Sequence, residues 1–77
     1  MVIEGTIIEV MESYPLQLIV QTREGQYYVE LLSETRITQA GESINQGNLS
    51  PNMQVKITGN DGFEQLTMSA KIVEIIK

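Results

Sequence analysis

Nine glutamates and one aspartate, with no histidine and no cysteine, make up the side chains in this chain that ordinarily titrate below about pH 8. Two carboxylates can divide acid and base work when their environments differ. Here Glu4, Glu9, Glu12, Glu24, Glu30, Glu34, Glu42, Glu64 and Glu74 are scattered along the sequence at polar positions, and Asp61 falls in an Asn60-Asp61-Gly62 turn signal. No serine sits in a nucleophile elbow, and neither Gly-rich phosphate motif occurs. Zinc sites of the usual kind need His or Cys. Asn60-Asp61-Gly62-Phe63-Glu64 offers oxygen ligands but is far shorter than a calcium loop of about twelve residues. The expectation is a protein that is not an enzyme, with no catalytic residue, no cofactor and no bound metal.

The remaining chemistry is recognition. Exposed aromatic rings can stack on bases or sugars, and neighbouring cations can follow a phosphate backbone. The residues placed for this are Tyr14, Tyr28 and Phe63, with the polar and apolar strand positions Gln17, Ile19 and Gln21 beside them. Arg23, Arg36 and Lys56 are the cations at the rim. Charge argues against nucleic acid as the ligand. Five Lys and Arg against ten Asp and Glu give a net charge of −5, whereas phosphate contacts supply most of the affinity of nucleic-acid binders.

Strands must position these residues. Val2–Met11 is β-branched, carries Gly5, and is apolar on both sides where Ile7 adjoins Ile8. This predicts a long strand that bends to serve two sheets. Glu12–Pro15 reads as a loop. Leu16–Thr22 alternates, with Leu16, Leu18 and Val20 on one face. Arg23–Gln26 is a hairpin turn with Gly25 supplying a positive φ. Tyr27, Val29 and Leu31 form the inner face of the third strand. Ser33–Pro51 reads as irregular, with a short strand possible at Thr35–Thr38, an exposed polar loop from Gln39 to Asn48, and one helical turn possible at Ile44–Leu49. Met53–Gly59 is the fourth strand, and Asn60–Gly62 its turn. Leu66–Lys77 is the fifth, with Leu66, Met68, Ala70 and Ile72 facing inward.

Five short strands need closure to protect their edges. The expected architecture is one all-β domain over residues 1–77, a small five-stranded OB-like barrel. An SH3-like barrel is the alternative. In OB barrels the ligand face is formed by strands 2 and 3 with the loops joining strands 1–2 and 4–5. That face would carry Tyr14, Gln17, Ile19, Gln21, Tyr28, Glu30 and Phe63.

Several segments also resemble a bacterial domain family of unknown function with an OB-like barrel. They are Gly5-Thr6-Ile7-Ile8-Glu9-Val10, Thr35-Arg36-Ile37, Leu49-Ser50-Pro51-Asn52-Met53-Gln54-Val55 and Ala70-Lys71-Ile72-Val73. The family typically shows a G-x-V opening, a T-x-I segment, an L-x-x-G-x-x-V segment and an A-x-x-I ending, which these segments resemble across nearly the whole chain, with Ile7 in place of the Val and Val73 in place of the Ile. Asn52 stands where the family has Gly, and Asn also tolerates the left-handed backbone. The resemblance implies the barrel and brings no catalytic residues.

The chain opens Met1-Val2-Ile3-Glu4 without a basic and apolar leader, and no apolar run approaches the ~20 residues of a membrane span. A cytoplasmic protein with no membrane partner is expected. Ile7, Ile19, Leu32, Val73 and Ile75 fall opposite the inward sets. Grouped, they would make a patch for a protein partner or a second copy, giving a monomer or homodimer; strand bending would instead put them in the core. The functional expectation is a non-catalytic protein-interaction or accessory module. The alternative is a single-stranded nucleic-acid or oligosaccharide binder on the strand 2–3 face.

Overall fold

A computed structural model describes residues 1–76. The strands are β1 (Val2–Met11), β2 (Gln17–Thr22), β3 (Gly25–Gln39), β4 (Glu42–Ile44), β5 (Gln54–Asp61) and β6 (Thr67–Ile75), with one 3₁₀ turn at Gln46–Asn48. The ladders run β2-β1-β5-β6-β3-β4, and a further β2–β3 pairing closes five of the strands into a barrel. All pairs are antiparallel except β3–β6. This is the OB-like arrangement, with β4 added outside the ring. The parallel β3–β6 seam has no counterpart in the antiparallel SH3-like alternative.

β1 bends as its composition predicts. Val2–Thr6 pairs with β5, and Thr6–Met11 pairs with β2. Gly5 lies at the crossing, where a Cβ would overlap the backbone carbonyl of Gln21. The ladder with β2 slips between Ile7 and Glu9, so Ile8 is an extra residue. A bulge turns neighbouring side chains out of strict alternation. Ile7 enters the core on the period set by Ile3, and the extra residue leaves both Ile8 and Glu9 outside. The segment before β5 locks onto this bend. The Ile7 amide donates to the Met53 carbonyl (2.9 Å), and the Asn52 amide donates to the Ile7 carbonyl (2.8 Å). Asn52 adopts φ 78°, the left-handed backbone its residue type tolerates.

The segment from Ser33 is more regular than expected, and the short strand considered at Thr35–Thr38 is present as part of β3. β3 continues to Gln39, pairing with β6 again from Arg36 onward, and Leu32–Thr35 form a bulge between the two paired halves. Thr35 closes that bulge. Its hydroxyl donates to the Ala70 carbonyl (2.6 Å) and accepts from the Leu32 amide (2.8 Å). The expected polar loop is a hairpin instead, since Glu42–Ile44 pairs back on Ile37–Gln39 through Ala40-Gly41. The expected helical turn exists as the 3₁₀ turn, with the Asn45 side chain accepting from the Gly47 amide (2.8 Å).

Ala40 and Gly41 both have positive φ, 53° and 83°. Two-residue hairpin turns of this type favour Asn-Gly, and the left-handed conformation costs an ordinary residue roughly 1–2 kcal/mol. Ala40→Asn is expected to stabilise the protein by roughly 0.5–1 kcal/mol and to raise Tm by several degrees. A thermal melt reads this, and an unchanged or lower Tm would contradict the turn assignment.

The core holds Ile3, Ile7, Leu18, Val20, Tyr27, Val29, Leu31, Ile37, Leu49, Val55, Ile57, Met68, Ala70, Val73 and Ile75. Three of the five residues considered for an outer patch, Ile7, Val73 and Ile75, are thus interior, and Ile19 and Leu32 are half-buried. Two residues assigned inward, Leu66 and Ile72, are exposed. The cause at Ile72 is a register shift. Thr58 pairs with Ile72 but Gly59 pairs with Ala70, so Lys71 is an extra residue and the inward set moves to Val73 and Ile75. Leu66 precedes β6 at φ 59°, outside the ladder alternation. β5 also runs through Asn60-Asp61, and the chain turns after Asp61 rather than at it. Among the described residues, no helix is long and apolar enough to cross a membrane.

Candidate functional site

Alternation on β2 and β3 sets which side chains point outward. Leu18, Val20, Tyr27 and Val29 fill the barrel, so Gln17, Ile19, Tyr28 and Glu30 stand on the outer face. Register then aligns them. Gln17 is opposite Glu30, and Ile19 is opposite Tyr28. On the other side of β3, Tyr28 is level with Thr67 and Glu30 with Ser69. The outer surface of β2, β3 and β6 is therefore one sheet face with Tyr28 and Glu30 at its centre.

The Asp61–Thr67 connection rises beside this face. The Gly62 amide donates to the Thr67 carbonyl (2.9 Å), and the Thr67 hydroxyl donates to the Glu64 carbonyl (2.6 Å). This compact loop holds Phe63 fully in solvent. Between loop and face lies an open groove of about 520 Å³, walled chiefly by Gln17, Tyr28, Glu30, Asp61, Phe63 and Ser69. Tyr28 is 49% exposed. Two carboxylates and two aromatic rings line the groove, and no Lys or Arg does.

Of the residues expected at a binding face, the structure brings Gln17, Tyr28 and Phe63 into this groove together with Glu30. Ile19 adjoins it as the cross-strand neighbour of Tyr28. Gln21 is exposed further along β2, with its amide donating to the Thr22 carbonyl (3.0 Å). Arg23 sits at the β2–β3 turn, beyond the groove. Tyr14 is fully exposed on the β1–β2 loop and borders a different cavity of about 440 Å³ with Pro15, Leu16 and Leu32. Lys56 stands on β5 between Glu4 of β1 and Glu74 of β6 in the ladder, away from both aromatic residues. Arg36 lines a second cavity of about 370 Å³ with Glu34, Asn60, Lys71 and Ile72.

Thr67 and Ser69 are lining residues that the sequence reading does not identify. Thr67 and Ser69 do alternate against the inward Met68 and Ala70. What puts them beside Tyr28 and Glu30 is the parallel β3–β6 pairing, which alternation within one strand does not encode. Among the described residues, no group of three or more Asp or Glu is placed to hold a metal ion. Comparison with models of known protein families, with curated proteins and with solved structures finds no match to the chain.

Proposed function

We propose that the protein is a non-catalytic binding module that engages a protein partner through the outer face of β2, β3 and β6. The observation that carries this reading is the pair of solvent-exposed aromatic residues, Tyr28 and Phe63, on an open groove of about 520 Å³. Rigid aromatic side chains give large contact area for little lost conformational freedom, and they dominate many interfaces. The groove carries carboxylate, amide and hydroxyl groups but no nucleophile with a base to activate it, which supports binding rather than turnover. Glu30 and Asp61 repel phosphates, so the groove favours a peptide over single-stranded nucleic acid. An oligosaccharide is the second reading, favoured by the aromatic and amide lining.

The test is selection of extended heptapeptides from a random library on immobilised protein. The Tyr28→Ala/Phe63→Ala double variant is expected to lose at least tenfold in affinity for the selected peptides. Its urea midpoint should stay close to the parent's, because both side chains are exposed. Peptides that bind the double variant equally well would remove the groove from recognition.

A further inference from the structure

We propose that the groove is one half of a bipolar trough that takes an extended segment of a partner protein bearing a cationic side chain and, four residues further on, an acidic one. This deepens the reading of the β2–β3–β6 face as the binding surface and rests on it. Ser69 lines both the aromatic groove and the second cavity, so the two adjoin on the outer surface of β6. Their charges are opposite. The first holds Glu30 and Asp61 with no cation. The second holds Arg36 and Lys71 with Glu34, whose carboxylate accepts from the Ser33 hydroxyl (3.0 Å).

The ladder gives the spacing. Tyr28 is level with Thr67, and Arg36 is level with Ile72, five positions further along β6; the bulged Lys71 takes up one of these, so four ladder steps separate Tyr28 from Arg36. Four residues of strand span about 13 Å. An extended peptide has the same rise, and its residues i and i+4 point to the same side. A guanidinium or ammonium between Tyr28 and Phe63 would meet ring faces and carboxylates together, the combination that favours cations. A carboxylate four residues on would then reach Lys71 and Arg36. Leu32 and Ile72 give the second cavity an apolar wall for the intervening stem. A neutral saccharide has no charges to match this pattern, and a polyphosphate has only one sign.

The two bulges make the cation end. Lys71 is the extra residue in β6, and Leu32–Thr35 are the extra residues in β3. With strict alternation, Lys71 and Ile72 would point to opposite sides of the sheet; here both are exposed. The same irregularity that redirects the core thus builds the positive half of the trough.

The experiment uses the full chain and fluorescein-labelled Gly/Thr peptides carrying one arginine and one glutamate at separations of one to seven residues. Affinities are measured at low salt, because exposed charge pairs are screened. The expected result is an optimum at a separation of four, tighter by roughly threefold or more than at separations of one or seven. Glu30→Gln should weaken the arginine peptides by a similar factor and leave a citrulline-for-arginine peptide unchanged. Lys71→Gln should weaken only peptides that keep the glutamate. A flat dependence on separation, with amide shifts still centred on Tyr28, Phe63 and Ser69, overturns the charge spacing and leaves the binding face standing. Shifts that lie elsewhere overturn both. Tighter binding of a chitin hexasaccharide, or the same amide shifts on raising the protein's own concentration, overturns the peptide occupant in favour of a sugar or a second copy.

Discussion

Gly59→Ala is expected to cost about 3 kcal/mol, the upper end of overpacking penalties. Gly59 is buried on β5 beside the Lys71 bulge, and a Cβ there would overlap the Ser69 carbonyl oxygen and lie 2.9 Å from its carbonyl carbon. Both obstacles are backbone, so no rotamer change relieves them. Relief requires β5 and β6 to separate where the Gly59 amide also donates to the Met1 carbonyl (3.0 Å). Domains of this size have total stabilities of roughly 4–12 kcal/mol, so the loss is a large share. Urea unfolding gives the measurement, with Gly47→Ala as the comparison. At Gly47 the nearest obstacle is the Asn45 side chain at 3.3 Å, on an exposed turn. Equal midpoints for the two variants would show that β5 and β6 can part without loss.

Thr35→Val is the second large effect, expected at roughly 3 kcal/mol with a fall in Tm of more than about 10 °C. Valine preserves the shape and removes the hydroxyl. The Leu32 amide and the Ala70 carbonyl then lose the partner that joins the β3 bulge to β6. Leaving a buried donor or acceptor unpaired costs about 1–3 kcal/mol each. Thr35→Ser keeps the hydroxyl and should recover most of the difference. If Val and Ser variants melt together, the hydroxyl is not what closes the bulge.

These two positions mark where the sequence stops being readable by pattern. β1, β2 and the first half of β3 follow from local chemistry. Leu18 and Val20 alternate with Gln17 and Ile19, Tyr27 and Val29 with Tyr28 and Glu30, and Gly25 turns the chain at φ 131°. The second half of β3 does not. Ser33-Glu34-Thr35 is polar because it leaves the ladder for one bulge, and Thr35 finds its partner 35 residues away at Ala70. The Ala40-Gly41 turn lacks the Asn or Asp that usually marks such a hairpin. Leu66 and Ile72 look inward on a two-residue period and face outward once Leu66's positive φ and the Lys71 bulge are included. The candidate site is legible to the same degree. Gln17, Tyr28 and Phe63 follow from strand alternation and an OB-like closure. Thr67, Ser69 and the charge pattern at Lys71 depend on which strands become neighbours.

The parallel β3–β6 seam also governs when a competent surface exists during folding. β1–β2, β2–β3 and β5–β6 join strands that follow one another in the chain and can pair through short connections. β3–β6 joins Tyr28 to Thr67, 39 positions apart, and β1–β5 joins Val2 to Thr58. Such non-local pairings carry the entropy of closing long loops and place all-β barrels in the millisecond-to-second range. The groove straddles that seam, with Tyr28 and Glu30 on one side and Thr67 and Ser69 on the other. A nascent chain with its hairpins formed but its barrel open presents neither the aromatic floor nor the paired charges. The recognition proposed for the groove therefore requires the closed barrel.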